Sequence, residues 1–193
     1  TGEISGGTPA GGLVGRNYGS IKESYATSNV SGSYNVGGLV GSNGGNINES
    51  YAIGDVSGGN ATGGLVGDNT ENINNCYAHG KVEGDESVGG LIGVNDEGII
   101  SEGIIRTSYA TGQVTGNTDV GGLIGTNGAT LESSYWDTES ANQSDGVGRG
   151  SSDGATGLTT SEMTGSAAKD NMSDLDWEEI WETTESYPVL FWD

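Results

Sequence analysis

The sequence predicts an all-β protein, a parallel β-solenoid of about five 26-residue coils followed by a C-terminal tail with room for a short helix. Three observations predict it. Glycine is the commonest residue, 38 of 193 against 2 prolines, while 32% hydrophobic residues and a single Phe are too few for an ordinary globular core. The glycines recur at a fixed period. Between them, small apolar residues alternate with variable ones, as in a strand with one buried face.

The period is set by the pentapeptide Gly-Gly-Leu-Val/Ile-Gly, which begins at Gly11, Gly37, Gly63, Gly89 and Gly121, at spacings of 26, 26, 26 and 32. An asparagine follows each one: Asn17, Asn43, Asn69, Asn95 and Asn127. Next come Ile21, Ile47, Ile73, Ile105 and Leu131, and then Tyr25, Tyr51, Tyr77, Tyr109 and Tyr135. The long spacing comes from six extra residues between Asn95 and Ile105, which places an insertion at 96–104. It reads as a loop bulging from one coil, although Ile99, Ile100 and Ile104 are unexpected in a solvated loop and point to packing.

At about 3.3 Å per residue, one unit makes two or three short strands plus turns, and stacked coils rise about 4.8 Å. The density of Gly, Ser and Asn excludes helical repeats. Within the second unit Ser50, Ala52, Gly54 and Val56 form the inward set, and Tyr51, Ile53, Asp55 and Ser57 the outward one. The third unit sets Cys76, Ala78, Gly80 and Val82 against Tyr77, His79, Lys81 and Glu83. Cys76 therefore takes an inward position held by Ser elsewhere, as inert packing. His79 shares its position with Thr27, Ile53 and Thr111, which argues against catalysis or ligation. The pentapeptide glycines suit a close approach of opposite walls or positive-φ turns. The repeated Asn suits a turn near αL, with amides stacked into a structural ladder.

With these residues in view, the Gly-Gly-Leu-Val-Gly units, each followed by Ser-Tyr-Ala and a Gly-x-Val stretch, resemble the GLUG motif family. The likeness covers residues 1–136. It extends into the tail through Tyr135–Glu139, Gly157–Met163 and Tyr187–Leu190. Repeats of this kind are associated with bacterial and archaeal surface proteins, including haemagglutinin-like adhesins and some IgA-specific peptidases, where they lie outside the catalytic part. The resemblance implies extracellular display, secreted or attached to the cell surface, and names no ligand.

The organisation expected is a solenoid over 1–136 and an acidic, Trp-containing tail over 137–193 that serves as a cap or as a strap along the side of the stack. Residues 1–10 align with 27–36, so the chain opens partway through a coil, to be completed by an upstream segment or by another molecule. The tail holds 13 acidic and 2 basic residues, net −11 of the whole chain's −21. All four Trp lie at Trp136 or beyond it, and residues 174–183 read as a short helix and 187–192 as a strand. Asp137, Glu139 and Asp145, with Asn142, offer a loose calcium set whose spacing matches no established calcium loop.

The net charge of −21 repels nucleic acid and anionic lipid, which removes both as partners. One Cys allows no internal disulfide, and no apolar run is long enough for direct insertion of a helix into a membrane. One His and the lack of any zincin or nucleophile-elbow motif leave no case for an enzyme, and no cofactor is called for beyond that weak calcium set. The first function expected is a non-enzymatic structural or adhesive protein of the cell surface, with other surface proteins or glycans as partners. The second is a self-assembling filament or lattice subunit joined through the open N-terminal coil. The third is a carbohydrate-binding module whose ligand face is an exposed column of Tyr25, Tyr51, Tyr77, Tyr109 and Tyr135. Asn29, Asn48, Asn60, Asn142 and Asn171 fit the Asn-x-Ser/Thr acceptor pattern for glycosylation.

Overall fold

The computed structural model describes residues 2–98 and 103–193. Each full coil contributes one strand to each of five parallel sheets, so that the stack is a five-sided column around a dry interior. The second coil shows the order: Val40–Asn43, Asn46–Asn48, Tyr51–Ala52, Val56–Ser57 and Asn60–Gly63. Five strands replace the expected two or three because the walls are shorter and the corners more numerous than the repeat length alone indicates.

Pairing is in register throughout. Tyr25, Tyr51, Tyr77, Tyr109 and Tyr135 sit directly above one another, as do Val40, Val66, Ile92 and Ile124. The inward set is the predicted one: Ser50, Ala52, Val56, Cys76, Ala78 and Val82 are all buried. The six-residue insertion does not disturb the ladder, since Ile105 pairs with Ile73 below and Leu131 above. Ile104 opens a strand at Ile104–Arg106 and is partly buried, while Ile99 and Ile100 lie outside the described residues.

The corners correct one expectation. The pentapeptide glycines do not have positive φ; they are required because opposite walls touch. A Cβ on Gly37 would lie 2.7 Å from Gly67 N, and one on Gly38 would lie 2.9 Å from the Ala52 Cβ. Left-handed backbone occurs instead at two columns of non-glycine residues, Glu23, Glu49, Asn75, Thr107 and Ser133, and Asn35, Ala61, Ser87 and Asp119, with φ between 42° and 55°. Each costs about 1 kcal/mol in isolation; the ladder bonds above and below hold it in place. The repeated Asn is not an αL residue either. It ends a strand and its amide spans the following turn, as when Asn69 Nδ2 donates to Glu71 O at 2.6 Å.

The ladders run on past residue 136. Val147–Gly150 pairs with Ile124–Asn127, and Ala155–Leu158 pairs with Ser134–Asp137, giving about six turns in all. Trp136 closes the interior. It takes the register position of Ala26, Ala52, Ala78 and Ala110, and its indole fills the space against Gly122 and Gly146. The first coil differs from the rest. Leu13 is 49% exposed, whereas Leu39, Leu65, Leu91 and Leu123 at the same position are fully buried.

From Leu158 the chain returns along the tyrosine side as a strap. It contains two of the three one-turn helices among the described residues; α1 (Thr138–Ala141) precedes it, and α2 (Thr160–Met163) and α3 (Ala167–Asn171) lie within it. The helix expected over 174–183 does not form. Asp176 Oδ1 accepts from Glu178 N and Glu179 N at 3.0 Å each, which makes a single turn, and the chain then extends as Trp181–Glu182. Glu178 and Glu182 stand four apart, a like-charge pair that weakens a helix, and Trp181 is drawn into the core instead. Of the strand expected over 187–192 only Val189–Leu190 forms, antiparallel to Trp181–Glu182.

Candidate functional site: a covered tyrosine column

The tyrosines follow from local sequence. Each sits two residues beyond an αL corner; the first four begin a two-residue strand and Tyr135 is second in Ser134–Asp137, so each ring points away from the interior while the next residue, Ala or Trp136, points in. The rings stack. Centroid separations are 5.2 Å from Tyr25 to Tyr51, 4.7 Å from Tyr51 to Tyr77 and 5.3 Å from Tyr77 to Tyr109, with planes within 12° of parallel.

The column is not an exposed ligand face. Tyr51, Tyr77, Tyr109 and Tyr135 are buried beneath the strap, and only Tyr25 is open, at 55%. A second core forms between sheet and strap, in which Met163, Met172, Leu175, Trp181 and Leu190 pack on the tyrosines. Trp181 lies 5.6 Å from Tyr109 and 6.1 Å from Tyr77, and Trp192 lies 5.6 Å from Tyr51. Alternation placed the rings outside the stack, but strand periodicity carries no information about what covers a face.

Each buried hydroxyl has a partner in the strap. Tyr51 donates to Asp193 Oδ1 at 2.6 Å and Tyr77 to Asp193 Oδ2; Tyr109 donates to Pro188 O, and Tyr135 to Asp174 Oδ2 at 3.2 Å. Burial, reinforced by the Asp193 carboxylate, pushes the Tyr51 and Tyr77 phenols well above their usual range. Burial, with Asp174 adding to it, takes Tyr135 to about 12. These phenols are fixed as neutral donors and are poor nucleophiles or bases.

His79 is covered as well, against Tyr77, Tyr109 and Tyr187. The one hydroxyl proton of Tyr109 goes to Pro188 O, so His79 Nε2, 3.0 Å away, is the donor in that contact and the ring is a neutral Nε2–H tautomer. Burial lowers its pKa to about 4. Cys76 is fully buried, its thiol pushed up to about 12 by desolvation, and it donates to Asn74 O at 3.1 Å.

Asp137 has a role the sequence reading missed. It is fully buried, and Oδ1 accepts from Glu139 N at 2.9 Å and Ser140 N at 3.0 Å, capping α1. Oδ2 accepts from Thr160 Oγ1 at 2.6 Å and from Tyr187 Oη, tying the top of the stack to the strap. Burial alone would raise its carboxyl; these donors outweigh it and hold the pKa below the usual range. Acidic residues next to a helix start are an N-cap signal that was available in Asp137-Thr-Glu. As a calcium candidate Asp137 is thus occupied by four donors. Glu139 accepts from Thr160 N at 3.0 Å, and Asp145 is exposed. Among the described residues no cluster of three His, Cys, Asp or Glu is arranged around a metal position.

The asparagines form a continuous amide ladder. Asn17 Nδ2 donates to Asn43 Oδ1, Asn43 to Asn69, Asn69 to Asn95 and Asn95 to Asn127, at 2.8 to 2.9 Å, and Asn127 ends the series on Ser151 O at 2.8 Å. All five are buried. Of the five glycosylation candidates, Asn29, Asn48, Asn60 and Asn171 have engaged amides. Asn29 Oδ1 accepts from Asp55 N at 3.0 Å and Asn48 Oδ1 from Asn74 Nδ2 at 2.9 Å. Asn60 Nδ2 donates to Glu86 at 3.1 Å and Asn171 Nδ2 to Ala167 O at 3.0 Å. Asn142 stands exposed at the end of α1.

Comparison with known proteins agrees with this architecture. The GLUG motif profile matches residues 6–31, 32–57 and 84–115. The intervening coil, 58–83, pairs in the same register as its neighbours. Halomucin from Haloquadratum walsbyi is 42% identical over 67 residues, which is 31% of this chain; the chain spans only about 1% of the length of that relative. No solved structure matches. Three separate stretches, each spanning one coil of the stack, are similar to the GLUG motif.

Proposed function

We propose that this chain is a non-enzymatic structural or adhesive module displayed outside the cell. The observation that carries the reading is the unbroken register of the stack. Backbone ladders, the Asn series and the apolar interior repeat from coil to coil, which yields a stiff rod-like element and leaves variation to the outward residues. The one His, the one Cys and the buried tyrosines all have packing or hydrogen-bonding roles. Similarity of a third of the chain to halomucin supports a surface setting, and a strongly acidic exterior suits one. Protease treatment of intact cells tests it: the chain is degraded while cytosolic markers survive. Protection until lysis would overturn the surface reading.

A second reading, self-assembly through the first coil, is favoured by one observation, the exposed Leu13 at a position buried in every other coil. Residues 1–36 also carry two acidic and two basic residues, a neutral zone in a chain of net charge −21. Sedimentation at rising concentration would show association that Leu13→Asp abolishes; a monomer at all concentrations excludes this reading.

A further inference from the structure

We infer that Asn142 is a site of N-linked glycosylation, and that it alone among the five Asn-x-Ser/Thr tripeptides is available in the folded chain. The inference rests on the surface reading above, because the transfer takes place outside the cytoplasm. In the reaction the Asn142 side-chain nitrogen displaces a lipid-linked diphosphate from C1 of the donor sugar. One N–C bond forms, one C–O bond to phosphate breaks, and the amide proton leaves as the lipid diphosphate departs.

The transferase must take the Asn, the following residue and the hydroxyl residue into one cleft, so the whole tripeptide has to be accessible. Four of the tripeptides fail that condition in the same way. Val30 follows Asn29 and is 1% exposed; Ser50 and Thr62, the hydroxyl residues for Asn48 and Asn60, are fully buried; Met172, following Asn171, is fully buried. Presenting any of these means pulling a residue out of the stack interior or out of the strap core.

Asn142-Gln143-Ser144 differs at each position. Asn142 and Ser144 are exposed, and Gln143 is only half-buried. Asn142 ends α1 in the left-handed region, φ 55°, so its side chain projects from a tight turn and, among the described residues, makes no hydrogen bond. Release of the tripeptide breaks the bond from Gln143 Nε2 to Val114 O, 3.0 Å, and the acceptance by Gln143 O from Trp136 Nε1, 3.1 Å, but moves no core side chain.

Trypsin separates the candidates. Cleavage after Lys22, Lys81, Arg106, Arg149 and Lys169 leaves Asn142 as the one acceptor in peptide 107–149, Asn29, Asn48 and Asn60 together in 23–81, and Asn171 in 170–193. Folded, unmodified protein is incubated with an oligosaccharyltransferase and a lipid-linked oligosaccharide, then digested and weighed. Peptide 107–149 gains the mass of one glycan, 23–81 and 170–193 gain none, and Asn142→Gln and Ser144→Ala each abolish the gain while leaving the circular dichroism spectrum unchanged. An unmodified 107–149, or glycan on either other peptide, overturns the inference. The same digest of protein shaved from intact cells separates the two readings: surface protein with a bare 107–149 removes the glycan site and keeps the location. If the chain is instead found in the cytosol, the location fails and the purified reaction decides the acceptor by itself.

Discussion

The stack and the strap are held by different physics. In the stack, stability comes from many small, equivalent contributions: backbone ladders, an amide series and, below Trp136, residues no larger than Leu or Ile, each repeated coil after coil. In the strap it comes from a few large anchors, Trp181, Trp192, Met163, Met172 and Leu190, together with carboxylates that accept from tyrosine hydroxyls. A repeat tolerates no change in backbone clearance but has no single indispensable side chain. A strap tolerates backbone irregularity but depends on each anchor. The tyrosine column belongs to both, as a ladder on its own sheet and as the floor of the second core.

The largest expected effect is on the stack. In Gly64→Ala the new Cβ would lie 3.0 Å from the Ala78 Cβ and overlap Gly90 O, with no flexible atom to yield. About 3 kcal/mol or more should be lost, read as a fall in the far-UV melting temperature, whereas Gly2→Ala, with nothing within 4 Å, changes little. If both variants melt alike, clearance is not what the glycines provide. Trp181→Ala should cost about 3–5 kcal/mol, but within the strap. The expected result is protease-sensitive residues 159–193 and Tyr51, Tyr77 and Tyr109 newly reactive to nitration, while the β signal of the stack survives. Loss of the β signal in the same transition would show that strap and stack are one cooperative unit. The smallest effect is that of pH. His79 has a folded pKa of about 4 against 6.5 unfolded. The unfolded chain therefore binds the proton first, and stability falls as pH drops from 6.5 towards 4. Above 6.5 this contribution is constant. Melting temperatures across that window should slope in the native chain and flatten in His79→Gln; parallel slopes would mean that His79 is not the group responsible.

Much of the stack was legible because its rules repeat. Five occurrences of one pentapeptide gave the coil length, the alternation around Tyr51 and Tyr77 gave the inward face, and Asn17 to Asn127 gave the ladder. The αL corners were not legible, since Glu23, Ala61 and Thr107 are not residues that favour left-handed backbone; coil geometry imposes it on whatever stands there. The strap was legible as an aromatic cap or strap, but its contacts were not. Its contacts join residues as far apart as Tyr51 and Asp193, and nothing periodic links them. One of its helices was within reach: Thr159-x-x-Glu162 is a capping-box pattern, and Glu162 does accept from Thr159 N at 2.8 Å. Against the helix expected at 174–183 stood a signal in the same residues, the like charges of Glu178 and Glu182 four apart.

Identical coils contain no instruction to stop, since each presents the next with the surface it received from the last. Along the Ala26–Ala52–Ala78–Ala110 column the instruction is Trp136, a side chain too large to leave room for another interior layer of the same kind. The change from full coils to the partial turn made by Val147–Gly150 and Ala155–Leu158 is therefore written in one column of one sheet. Duplicating a coil below Trp136 lengthens the rod and leaves its terminus intact, whereas a small residue at that position removes the full stop.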